Sequence, residues 1–226
     1  MFNPEELVTH CQAAAAEVNP VAAVQEVVAS AIADGASIDA ALGTEFKGEA
    51  DTLFSSVDLT VQRIQWPPGI HSSMHDHRMW AVVGVYVGQE LNRIYRRSPD
   101  GIEERGHRAL GEGDVLVLNK DAIHSVENSL HRRTAGLHVY GGDILSIERS
   151  AWGPDEREVS FPENASPRRA MYEAMREVAG DHGMQLDDQA RYLAITALQF
   201  ACEREQRYPR DIEARRIVAE VWNLAP

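Results

Sequence analysis

Gly69-Ile70-His71-Ser72-Ser73-Met74-His75-Asp76-His77 leads into an apolar stretch, Trp80-Ala81-Val82-Val83-Gly84-Val85-Tyr86-Val87. In a strand, side chains at i and i+2 share a face. His75 and His77 are therefore expected to converge on one point, as two neighbouring ligands of a metal ion must. A second stretch, Gly113-Asp114-Val115-Leu116-Val117-Leu118, passes through a turn to His124, with Asn128 completing an H-x-x-x-N arrangement. The chain has nine histidines, and His71, His75, His77, His107, His124, His131 and His138 all lie between positions 71 and 138. Histidine is the commonest metal ligand and handles protons near neutral pH, so the chemistry is expected in this region.

Around these motifs, short apolar or alternating runs at 57–66, 80–87, 90–96, 103–110, 114–118 and 134–140 are separated by turn residues. The separators are Pro67-Pro68-Gly69, Gly88, Ser98-Pro99-Asp100-Gly101, Gly111-Glu112-Gly113 and Gly141-Gly142. Many short strands at this spacing predict an antiparallel sandwich or barrel. On either side the pattern is helical. Residues 5–18 and 21–33 are rich in Ala, Val and Glu, with Pro4 and Pro20 at helix starts and Asp34-Gly35 read as the stop of the second helix. Residues 167–179, 187–207 and 211–222 carry apolar side chains at three- and four-residue intervals, with Asp187 or Asp188 as an N-cap. The organisation expected is a helical segment over 1–50, a β-barrel over 51–160 and a helical extension over 161–226.

Composition narrows the function. The 226 residues carry 22 Lys and Arg against 35 Asp and Glu, a formal charge of −13. So acidic a chain lacks the basic field that binds nucleic acid or an anionic membrane surface. It has no run of eighteen apolar residues and no basic, signal-like N-terminus. Its two cysteines, Cys11 and Cys202, have no metal-type spacing and form no disulfide framework. A soluble, reduced, cytoplasmic protein is the expectation.

The two histidine motifs resemble those of the cupin superfamily. Gly69, His75 and His77 fit its first motif, with Gly84 or Gly88 as the closing glycine; Gly113, Asp114, His124 and Asn128 fit its second. The resemblance implies a mainly β fold, a double-stranded β-helix barrel with N-terminal and C-terminal helical extensions, holding one metal ion through His75, His77 and His124. Two positions depart from the pattern. Asn119 stands where a Pro is usual, and Ala81 or Val82 where a ligating Glu is usual. The implied site is three neutral imidazoles with no carboxylate, leaving three positions open on an octahedral ion. Fe(II) suits such a site for O2 chemistry, and zinc fits the same ligands. His71, His107 and His131 have no comparable context and are read as surface residues or as supports of the site.

Gly136-Leu137-His138-Val139-Tyr140 puts Gly136, His138 and Tyr140 on one strand face, where a His and a Tyr beside a metal can position or transfer a proton. Together with His75-Asp76-His77-Arg78-Met79-Trp80, this run is similar to the thiol dioxygenases, the cysteine and 3-mercaptopropionate dioxygenase branch of the cupins, over about residues 57–149. In that family the pattern is Ser-x-His-x-Tyr; here Gly136 replaces the Ser. Residues 81–84 offer no Cys to crosslink with Tyr140. The resemblance implies one Fe(II) per chain, a small carboxylated thiol and O2 as partners, His138 and Tyr140 as catalytic residues, and an arginine clamp for the carboxylate. Arg149 is the candidate at the mercaptopropionate-type position, and Arg63 is the one Arg on the strand where the cysteine-type clamp lies. Alternatives are another metal-dependent cupin enzyme (a carbon-directed oxygenase or an isomerase), or a non-catalytic ligand-binding cupin. The helical flanks could also serve a homo-oligomer.

Overall fold

The computed structural model describes residues 1–45, 50–99, 101–153 and 157–224, with only the backbone of 161–169. Residues 46–49 of the expected N-terminal segment and Asp100 of the 98–101 turn lie outside the described residues. The chain begins with helices α1 (Pro4–Ala15), α2 (Pro20–Ile32) and α3 (Gly35–Leu42). Each starts on a side-chain cap that satisfies free N–H groups. Asn3 accepts from Glu5 and Glu6, Asn19 from Ala22, and Asp34 from Ser37. Asp34-Gly35 is thus the start of a third helix as well as the break after the second, which corrects the sequence expectation. Gly35 is required there by contact, since a Cβ would lie 2.6 Å from the Tyr86 carbonyl oxygen.

The middle of the chain forms eleven strands among the described residues. They are β1 (Ala50–Ser55), β2 (Thr60–Trp66), β3 (Met74–Asp76), β4 (Ala81–Val87), β5 (Glu90–Ser98), β6 (Gly101–Leu110), β7 (Val115–Leu118), β8 (Ile123–Glu127), β9 (Thr134–Tyr140), β10 (Ser150–Trp152) and β11 (Glu158–Ser160). One antiparallel sheet has the order β1-β2-β9-β4-β7, and the other β11-β10-β3-β8-β5-β6. From β2 to β10 the chain passes repeatedly between the two sheets, which is the winding of a cupin double-stranded β-helix. Edge strand β1 was not among the expected runs, because its residues are only partly buried and show no clean alternation. The run expected from 57 begins at Thr60, since Ser56 and Leu59 close a turn first.

Helix α2 lies on the outer face of the first sheet. Val24, Val28 and Ile32 pack with Val61, Val82, Leu137 and Val139, and Gly84 allows the approach, as a Cβ there would sit 2.5 Å from Val28 Cγ1. Each fully buried aliphatic side chain of this layer contributes roughly 1.5–3 kcal/mol. The C-terminal helices α4 (Phe161–Asp181), α5 (Asp188–Glu205) and α6 (Asp211–Val221) pack on Ile64, Trp66, Ile70 and Val126. Helix α4 starts well before the expected 167. Asp187 caps α5 by accepting from Ala190 N–H at 2.8 Å.

Candidate metal centre

Strands β3 and β8 are antiparallel neighbours in a register that pairs His75 with His124. His77 lies just beyond the end of β3, where Arg78 takes a positive φ of 58°. Asp76, between the two histidines, points the other way. It accepts from the Arg78 guanidinium and, at 2.8 Å, from Ser150 N–H, which ties the motif to β10. The three imidazoles therefore meet inside the barrel. Their ring centroids are 4.6–5.1 Å apart, and one nitrogen from each lies within 4.8 Å of the others. All three residues are buried.

Their hydrogen bonds suit a metal. His75 Nδ1 faces the Ser73 carbonyl oxygen at 2.9 Å, and His124 Nδ1 faces Asn92 Oδ1 at 2.9 Å. An oxygen acceptor at Nδ1 holds the proton there and leaves the Nε2 lone pair for an ion, the usual support of a ligating histidine. His124 Nε2 and His77 Nε2 lie 3.3 Å apart, two lone-pair nitrogens turned on one point. Burial, then the His138 and Arg149 charges, pulls His124 down to about 3. Burial, followed by His124, His75, Arg149 and His138, holds His77 well below the usual imidazole range. Neutral imidazoles are the form that binds a metal. No carboxylate belongs to the cluster among the described residues, and Ala81, opposite Tyr140 on β4, offers neither a ligand nor a thiol.

Strand β9 brings His138 and Tyr140 to the inner face, and its outer-face residues Ala135, Leu137 and Val139 are fixed in the helix-covered core. The Tyr140 ring stands edge-on to His77 with centroids 5.2 Å apart, and its hydroxyl is 3.2 Å from His138 Nδ1. Burial raises the Tyr140 hydroxyl above the ordinary phenol range, against the Arg149 charge, which lowers it.

Arg149 is half-buried, and its charge acts on His77, His124 and Tyr140 together. Arg63 is not near them. It is buried on the other face of β2, pairing with Asp51 and the Gly43 carbonyl, which removes it as a carboxylate clamp. Asn128 is buried and supports the fold: its amide donates to the carbonyls of Trp66, Pro67 and Arg132 and so closes the turn before the first motif. His107 is exposed and His131 stacks on Tyr192. His71 bridges β8 at Glu127. Cys11 and Cys202 are free and buried, with burial pushing their thiols up to about 12 and about 11.

Two buried residues of β5 escaped the sequence reading. Asn92 supports His124, and Glu90 accepts from Trp66 Nε1–H at 3.0 Å. The signal that could have found them is a Glu-x-Asn spacing at the start of a strand, which puts both polar groups on one face.

No family model matches the chain. Solved structures similar to it include a Bacillus halodurans protein at 14% identity and a TM-score of 0.41, covering 46% of this chain and 77% of that one. An RmlC-like cupin family protein with a double-stranded β-helix fold from Methanocaldococcus jannaschii is 10% identical, with a TM-score of 0.37 over 45% of this chain and 88% of that one. The DMSP lyase DddQ from Ruegeria pomeroyi is 20% identical, with a TM-score of 0.37 over 47% of this chain and 53% of that one.

Proposed function

We propose that the protein is an Fe(II)-dependent thiol dioxygenase that converts a small carboxylated thiol, 3-mercaptopropionate- or cysteine-like, and O2 to the sulfinate. The observation that carries this reading is a cluster of three neutral imidazoles without a carboxylate, beside a buried His138–Tyr140 pair. A neutral ligand set leaves the charge of a divalent ion uncompensated and favours an anionic thiolate. Iron bound there would supply the redox chemistry that joins sulfur and O2. The chain's own residues do the rest. His75, His77 and His124 would hold the ion, with Ser73 and Asn92 fixing two of the rings. Arg149 binds the far carboxylate, for which a guanidinium fork is well shaped, and orients the thiol. Tyr140, its hydroxyl against His138, holds a proton at Oη for exchange with the reacting atoms.

Mass spectrometry of products from a panel of small thiols, with Fe(II)-loaded protein, tests the reading. A gain of two oxygens on one carboxylated thiol is the expected result. Iron-loaded protein that takes up no O2 with any thiol overturns it in favour of a carbon-directed oxygenase or an isomerase, and protein unable to bind Fe(II) favours a non-catalytic ligand-binding cupin. Arg149→Ala is expected to raise KM for the carboxylated thiol about 10–100-fold, the cost of losing a charged hydrogen bond, with kcat less affected. An unchanged KM removes Arg149 from the clamp.

A further inference from the structure

The inner face of the barrel holds an acidic side chain with no part in the scheme above. Glu90 is fully buried. Its Oε1 accepts from Trp66 Nε1–H at 3.0 Å and lies 3.8 Å from His138 Nε2. Glu90 Oε2 and His138 Nε2 are both buried without a hydrogen-bond partner, and buried polar groups left unpaired are destabilising. The remaining gap exceeds a normal N–H···O distance by about 0.9 Å, and position 136 borders it. A Cβ on Gly136 would lie 3.4 Å from both Glu90 Oε1 and His138 Nε2, and 2.9 Å from the Gly84 carbonyl. Gly136 thus leaves open the space beside the gap, where a Cβ would touch both the acid and the imidazole at contact distance.

We infer that Glu90 is the positioning residue of His138: its carboxyl group uses the space left by Gly136, accepts the His138 Nε2–H, and so fixes the tautomer whose Nδ1 accepts the Tyr140 O–H. Glu90, His138 and Tyr140 then form an acid–imidazole–hydroxyl chain from the bottom of the barrel towards His77. The imidazole tautomer is set by the partner of its second nitrogen, as in other buried histidines held by carboxylates. In this direction Tyr140 Oη turns its lone pairs outward from His138, so it can accept a proton only as its own passes to His138 Nδ1, leaving an imidazolium paired with Glu90. The use of Tyr140 in thiol chemistry rests on the reading above; the pairing of Glu90 with His138 does not.

The test is the tautomer itself. In the metal-free full-length chain labelled with 15N-histidine, long-range 1H–15N correlations report which ring nitrogen of His138 carries the proton, and a His138→Asn variant assigns the signal. The expected wild-type pattern is protonated Nε2 and unprotonated Nδ1. Glu90→Ala should lose it, and Glu90→Gln, whose amide carbonyl oxygen can still accept from Nε2–H, should keep it. A wild-type proton on Nδ1, or a Glu90→Ala variant with the wild-type pattern, overturns the assignment. The wild-type spectrum decides even if a variant fails to fold. With an active thiol, Glu90→Ala should lower kcat about 10–100-fold and leave KM unchanged. If no thiol is turned over, the function proposed above fails while the tautomer still decides the role of Glu90.

Discussion

The two sheets of the barrel are made of similar short strands, yet they are stabilised differently. In the first, β2 and β9 are buried along their whole length and β4 almost so, because α2 covers the outer face while the barrel interior covers the other. In the second, β5 and β6 expose much of their outer face, where ion pairs such as Arg97–Glu158 lie at the surface. Strand β3 of that sheet has only three residues, held by backbone pairing to β8 and β10. Two-sided burial lets β9 carry Thr134, Gly136, His138 and Tyr140 inward, since Ala135, Leu137 and Val139 anchor it from outside. The short strand β3 carries its ligand through register with its neighbours instead. The contrast separates what holds the barrel from what lines it.

The largest test of that separation is His124→Ala. On the function proposed above, three ligands become two, so iron retained after reconstitution and gel filtration should fall to background, while the folded state persists. Wild-type iron content in this variant would break the assignment of the ligands. Leu137→Ala, on the outer face of the neighbouring sheet, should do the opposite. A buried Leu-to-Ala change costs about 2–5 kcal/mol in urea unfolding, yet the protein that remains folded should bind iron at the wild-type stoichiometry.

Acid sharpens the comparison from another side. His124 stays neutral in the fold down to about 3, whereas an unfolded imidazole protonates near 6.5, and His77 is shifted in the same direction. Between those values the unfolded chain binds more protons than the native one, so stability rises with pH and is lost on acidification. Metal-free protein should therefore weaken as pH falls from about 6.5 towards 3, read as a falling urea midpoint. A His124→Asn variant should show a shallower slope through that range. The smallest effect belongs to the exposed sheet face. Arg97→Ala removes the Arg97–Glu158 pair, whose partners are 51% and 43% exposed, and should cost about 0.2–1 kcal/mol, less at high salt. A loss as large as that of Leu137→Ala would mean that the second sheet depends on its surface for stability.

Much of this was legible in the chain. Strand β9 falls on the expected 134–140, and the periods of two and of three to four separate barrel from helices. The limits are specific. Asp34-Gly35 was read as a stop, yet the same pair serves as cap and first residue of α3, because a side-chain acceptor can end one helix or begin the next. Arg63 and Arg149 were both candidates for one role. Strand period puts Arg63 on the face opposite Gln62 and Ile64 but does not say which face is inside; only pairing with β1 and β9 turned it outward. The same ambiguity hid Glu90 and Asn92, whose shared face was readable and whose inward direction was not.

The kind of chemistry available was therefore written in residue types and local spacing: imidazoles two apart, a third after a turn, a His and a Tyr on one strand face. Those relations are local, and backbone geometry alone enforces them. Which distant groups meet was decided by tertiary structure. The β3–β8 register brings His75 to His124, β5 beside β8 sets Asn92 against His124, and Glu90 Oε1 comes to 3.8 Å from His138 Nε2. The physical reason is that alternation along a strand fixes two faces, whereas hydrogen-bonded register and burial against helices choose which face becomes the interior.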